Sequence, residues 1–308
     1  MKLNYILLTA GLALSAPAFA AISPGNTQTG TSAPYNGIGE LFLAVYDDQA
    51  KISYAKDLGV TQNAFFVDGQ NKNGFTKTWS LDDDYWTEFL GKVSLKNLQW
   101  TVLAVDQIGG IGAANPGTGA GGIRLFTTVK AGDEAKVGAT RNSALTTALG
   151  AAQIGTFFDA VNTTGSHGTV GVALDFGVNG ASVNADADPG NAYFGIPGSG
   201  PTLNGNMGWS SGNAVDTASK FFAVTRSSTT ASGFVAIDRF NNPDAPAIEG
   251  SFLLSSGQLS SRLVDGLNSS SGYSLTYALA PVPEPQTYAL MLLGLGALGA
   301  VARRRKAG

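Results

Sequence analysis

Read for its alternation of apolar and polar positions, the chain between residues 40 and 280 breaks into short runs bounded by Gly, Asn or Asp. The runs are Leu41 to Tyr46, Lys51 to Ala55, Ala64 to Val67, Phe75 to Ser80, Leu98 to Val105, Ile123 to Val129 and Thr169 to Phe176. They continue with Phe221 to Arg226, Gly233 to Phe240, Gly250 to Leu254 and Tyr273 to Leu279. Most are rich in β-branched or aromatic residues, which fit a pleated, half-buried surface. Such a density of strand signals predicts a mainly β domain, sandwich-like or jelly-roll-like, over residues 40–280.

Two stretches depart from this pattern. In Leu81 to Leu90, three aspartates precede Tyr85, Trp86, Phe89 and Leu90, and acids suit a helix N-terminus. Asn142 to Val161 spaces Leu145, Ala148, Leu149, Ala152, Phe158 and Val161 by threes, fours and their sums behind an Asn or Ser cap. Gly150 and Gly155 weaken that second helix. The polar, glycine-rich stretches Gly109 to Gly122 and Val183 to Gly212 read as surface loops.

The two ends follow other rules. Lys2, an apolar stretch from Leu3 to Ala16, Pro17 and then Ala18, Phe19, Ala20 make a secretory leader with a small-x-small cleavage site at Ala18 and Ala20. This predicts removal of residues 1–20 by a signal peptidase. Residues 21–39, rich in Gly, Pro, Ser, Thr and Asn, read as a flexible lead-in.

At the other end, Val282, Pro283, Glu284 and Pro285 come first, then an apolar run from Tyr288 to Ala302, then Arg303, Arg304, Arg305 and Lys306. Prolines on both sides of Glu284 fix φ and remove backbone donors, which keeps that segment extended. The run of 15 residues falls short of the roughly 20 that span a hydrocarbon core comfortably, so residues 287–302 read as a single, marginal membrane helix. Four cations behind it place the C-terminus in the cytoplasm and the passenger outside.

Removing those four cations, Lys2 and Glu284 turns the net charge of −3 into 14 basic against 21 acidic residues, a passenger of −7. No basic stripe is present to neutralise phosphates, so nucleic acid is not an expected partner. Cysteine is absent, which excludes disulfides, thiolate metal sites and cysteine nucleophiles.

Within the passenger the chemical signals are weak. Asn184, Asp186 and Asp188 alternate like oxygen ligands of a calcium loop, but Pro189 and Gly195 stand where such a loop needs glycine and a bidentate glutamate. A polar turn is the simpler reading, and Asp82, Asp83 and Asp84 read as a helix cap. The glycines from Gly109 to Gly112 follow a strand, yet Pro116 stands where a phosphate-binding helix would begin. His167, beside Ser166, has no nucleophile elbow near it. Glu88, Asp106, Asp159 and Asp175 are carboxylates without a spacing that singles out a catalytic pair. No cofactor and no enzymatic activity are expected. Trp79 and Trp100 read as core, whereas Trp209, in the loop Gly205 to Gly212, reads as an exposed aromatic able to stack on a sugar ring.

The ordered tail of proline-locked motif, short helix and basic stop resembles the PEP-CTERM sorting signal of exosortase substrates. The resemblance covers only residues 281–308. It implies recognition through Val282, Pro283, Glu284 and Pro285 by an exosortase-like enzyme, transient anchoring in the inner membrane and a final place in the cell envelope or extracellular matrix. The resulting expectation is a surface protein with a structural or interaction role near exopolysaccharide. The alternative is a carbohydrate-binding or carbohydrate-active secreted protein.

Overall fold

A computed structural model describes residues 21–23, 25, 39–107, 122–167, 180–190, 192–195, 207–242, 245–256 and 272–279. In chain order the elements are β1 (Glu40–Asp47), β2 (Ile52–Thr61), α1 (Gln62–Asn71), β3 (Thr76–Ser80), α2 (Asp84–Leu90), β4 (Gln99–Asp106) and β5 (Arg124–Thr128). Next come α3 (Glu134–Gly138), α4 (Asn142–Ala148), α5 (Thr156–Val161), β6 (Ala181–Ala185), β7 (Asn213–Ala214) and β8 (Ser219–Thr225). The chain finishes with β9 (Ala236–Arg239), β10 (Asn241–Asn242), β11 (Ala245–Glu249), β12 (Ser251–Ser255) and β13 (Ser274–Ala278).

The expectation of a mainly β passenger holds. Eleven strands form one antiparallel sheet in the order β3-β13-β12-β8-β5-β4-β1-β2-β6, with β7 joined to β4 and β9 to β8; β10 and β11 pair separately. The central strands are buried on both faces. In β1, Phe42, Ala44 and Tyr46 enter one core while Leu41, Leu43 and Val45 enter another, since successive side chains of a strand point to opposite faces.

Helices cover the first core through Val137, Leu145, Leu149, Phe157, Phe158 and Val161. The second is closed by α1 and α2, through Phe65, Phe66, Trp86 and Phe89, and by the sheet itself. Trp79, Phe252, Leu254, Leu275 and Tyr277, from β3, β12 and β13, share it with Val102 of β4 and Leu43 of β1. Strands distant in the hydrogen-bonded order therefore line one core, which a twisted sheet achieves by curling. Phe65 fills the middle, its ring 4.8 Å from Tyr277 and 5.5 Å from Phe221.

Three sequence expectations are corrected. Ala64 to Val67 belongs to helix α1 and not to a strand: Thr61 accepts the Ala64 N–H on its hydroxyl at 3.2 Å. A strand would send Phe65 and Phe66 to opposite faces, whereas the helix buries both in one aromatic cluster and leaves Val67 exposed.

The helix expected over Asn142 to Val161 is broken into α4, a π turn at Ala151–Gly155 and α5. The Gly155 N–H reaches the Gly150 carbonyl at 3.4 Å, and the two glycines flank the change of pitch, where helix propensity is lowest. Asn142 does not cap α4. Its side chain is buried and holds the 227–230 segment through the Ser228 hydroxyl at 3.1 Å and the Thr230 carbonyl at 3.1 Å.

The stretch expected as a loop from Val183 contributes to the core. Its first residues complete β6, and Phe194 packs into the first core with Phe157 at 5.5 Å, its N–H bonded to the Ser53 hydroxyl at 2.9 Å.

Candidate functional site

Of the sequence-predicted residues, Ala18, Ala20, Val282, Pro283, Glu284, Pro285, Arg303, Arg304, Arg305 and Lys306 lie outside the described residues, as do Asp175 and the membrane helix expected at 287–302. Among the described residues no helix is long and apolar enough to cross a membrane. In the lead-in, Ile22 is fully buried. Asn162 grips it from both sides, accepting the Ile22 N–H at 2.9 Å and donating to its carbonyl at 3.0 Å. Gly25, at φ 71°, passes so near β4 that a Cβ would lie 2.2 Å from the Val105 carbonyl oxygen.

The candidate calcium residues span the end of β6 and the turn that follows it. Asn184 is buried and donates to Ser182 at 2.9 Å; Asp188 accepts the Ala185 N–H at 2.7 Å; Asp186 meets Lys51 at 3.3 Å. Asp83 caps α2, accepting the Trp86 N–H at 2.9 Å. It also accepts from Lys56 and Tyr54, each at 2.7 Å. Burial raises the pKa of Asp83, but these hydrogen bonds and the Lys56 charge outweigh it and leave the carboxyl below its usual value.

Among the described residues, the carboxylates considered for glycoside chemistry are dispersed. Glu88 pairs with Lys92 on the surface of α2, Asp106 pairs with Arg124 at 2.7 Å in full burial, and Asp159 is exposed on α5. Helices α2 and α5 cover opposite faces of the sheet. His167 is buried, with Nε2 3.3 Å from the Ala55 carbonyl oxygen. Trp79 and Trp100 are core residues, their indole N–H groups bonded to the Leu58 and Ala214 carbonyls, each at 2.9 Å.

Trp209 is the fourth correction. It is only 4% exposed, because the 3₁₀ turn at Gly208–Ser210 folds back onto α3 and α4. Its indole N–H donates to the Thr140 hydroxyl at 3.0 Å and its carbonyl accepts the Lys130 N–H at 2.7 Å. It forms the floor of an open cleft of about 670 Å³, within the size range of ligand sites.

The walls of that cleft are polar, with Asp133, Lys136, Arg141, Ser143 and Thr147 from α3, α4 and the turns beside them. Asp133 and Lys136 form an ion pair at 2.7 Å. Arg141 lies over the ring of Phe234 at 5.0 Å and donates to the Ser232 carbonyl. Phe234 remains 52% exposed. Both signs of charge and hydroxyls in one cleft, with an exposed aromatic ring beside Arg141, suit a hydrated, hydroxyl-bearing ligand. Sequence reasoning found Trp209 but missed its neighbours, because Arg141 and Phe234 are joined only by a bridge between segments far apart in the chain.

A second arrangement that went unread is the buried pair Glu40 and Asp57. Burial pushes Glu40 up to about 7, partly offset by the Ser23 N–H that it accepts at 2.8 Å. Burial and then the charge of Glu40 push Asp57 up to about 8. Both residues are closed to solvent. Among the described residues no group of three or more His, Asp or Glu is placed to hold a metal ion.

No curated protein and no solved structure matches the chain. Residues 281–306 match the family model described as the PEP-CTERM protein-sorting motif, so this chain carries at its C-terminus the sorting signal of exported, exosortase-processed proteins.

Proposed function

We propose that this is a structural or interaction protein of the extracellular matrix that associates with exopolysaccharide after an exosortase-type enzyme has processed its tail. The observation that carries the reading is the sorting motif at 281–306. In this reading a signal peptidase removes residues 1–20, the segment 287–302 anchors the chain transiently in the inner membrane, and the processed protein remains in the envelope or outside the cell. The passenger acts as a sandwich-like carrier, a reading supported by the core that β3, β12 and β13 share with β1 and β4. We assign it no catalytic step.

The test is to express the chain with and without a matching exosortase, follow the tail by mass spectrometry, and measure retention on the native matrix. A shortened tail only with the enzyme, together with retention of the processed protein, is expected. Identical intact tails in both hosts, or a processed protein that washes off the matrix, would overturn it. The open polar cleft favours one second reading, a carbohydrate-binding passenger.

A further inference from the structure

The cleft above Trp209 differs in charge from the rest of the passenger. The sequence makes the passenger acidic, yet two cations, Lys136 and Arg141, line this cleft against the single carboxylate of Asp133. Lys136 pairs with Asp133 at 2.7 Å, but its side chain is 65% exposed and keeps donors toward solvent. Arg141 is held differently: its stack on Phe234 and the bond from Nη1 to the Ser232 carbonyl set the plane of the guanidinium. Among the described residues its Nε and Nη2 have no partner, so donors of a fixed fork are open to a ligand. Such a fork matches the two oxygens of a carboxylate better than an ammonium does.

Around these charges the lining supplies what a sugar ring needs. Ser143 and Thr147 stand one turn apart on α4 and both line the cleft, so their hydroxyls face the same side. Asp133 accepts hydroxyl donors. Beside the lining, Phe234 carries Arg141 over its ring at 5.0 Å and stays 52% exposed, which leaves apolar ring surface for sugar C–H groups next to the guanidinium.

We propose that this cleft binds a carboxylated polysaccharide, with the sugar carboxylate on Arg141 and Lys136, ring hydroxyls on Asp133, Ser143 and Thr147, and a sugar face against Phe234. The inference rests on the matrix reading above and deepens it by naming the class of glycan and the residues that select it. Selection against neutral glycans follows from the two cations; selection against simple polyanions follows from the hydroxyl and aromatic contacts, which those lack.

The test uses the exported protein recovered from an exosortase-positive host, titrated with alginate oligomers, neutral dextran oligomers and polyphosphate. Alginate binding is expected, with dextran and polyphosphate at least tenfold weaker. Lys136→Gln combined with Arg141→Ala should weaken alginate binding tenfold or more, and Phe234→Ala several-fold. Lys136→Gln alone, at a solvent-exposed site, should weaken it measurably while leaving the melting temperature unchanged, which separates binding from folding. Equal binding of dextran, equal binding of polyphosphate, or alginate binding unchanged in all three variants would each overturn the proposal. A wild-type protein that binds no alginate yet stays on its native matrix overturns this inference and leaves the matrix reading intact. Loss from the native matrix with alginate binding preserved overturns the matrix reading alone.

Discussion

Asp57 of β2 is buried against Glu40 of the adjacent β1, and the charge of Glu40 adds to burial in raising the Asp57 pKa. Two carboxyls removed from water so close together cannot both ionise cheaply. They lie where the β1–β2 ladder shifts register, between the Glu40–Thr61 and Phe42–Asp57 partners.

This pair makes stability depend on pH in a direction that can be worked out. The ordinary values are 4.5 for Glu40 and 3.8 for Asp57, and the folded values are about 7 and about 8. Between those limits the folded chain holds more protons than the unfolded one, so stability falls as pH rises through the interval. Asp83 works in the opposite sense, since its lowered pKa is lost as stability only on stronger acidification. Urea melts across this range should show the decline, and Glu40→Gln should flatten it. Stability that rises over the interval in the wild type would refute the assignment.

Trp209 should behave as a structural residue. Trp209→Ala removes the cleft floor and the bond to Thr140, at a cost of roughly 3–5 kcal/mol by analogy with other large-to-small core changes. Trp209→Phe keeps most of the volume and should cost less. Thermal and chemical melts decide this; an alanine variant as stable as the wild type would return Trp209 to the surface.

Asn162 should govern the N-terminal segment. Asn162→Ala removes both bonds to Ile22, leaving a buried N–H and carbonyl unsatisfied at about 1–3 kcal/mol each. Hydrogen exchange should then accelerate at Ile22 and at Ser23, whose N–H is held by Glu40. Unchanged protection at both amides would show that other contacts hold the segment.

Local signals reached some of this architecture and stopped short of the rest. The strands β1, β3, β4, β5, β8, β12 and β13 were legible because apolar runs between turn residues are a property of neighbouring positions. Helix α2 was legible because Asp83 caps it locally. Helix α1 was not: Phe65, Phe66 and Val67 read as a strand, and only the aromatic cluster around Phe65 shows why both phenylalanines must face inward. Fully buried strands hide their face assignment as well, since every residue of β1 is apolar or buried and both faces look alike in sequence.

The cleft follows the same division. Trp209 was visible as an aromatic in a polar loop, but its burial depends on Thr140 and Lys130, distant in the chain. Glu40 and Asp57 each look like an ordinary acidic residue in sequence, and only the pairing of β1 with β2 brings them together.

The sequence by itself determined the sorting signal at 281–306, because such a motif is a contiguous stretch of extended and apolar chain. It also determined that strands would dominate, because periodicity is local. Tertiary structure alone decided which face of each strand is core, which lead-in residues dock, and that Lys136 and Arg141 share a cleft with Phe234 beside it. Those outcomes depend on contacts between distant segments, whose free energy exists only once the sheet has curled.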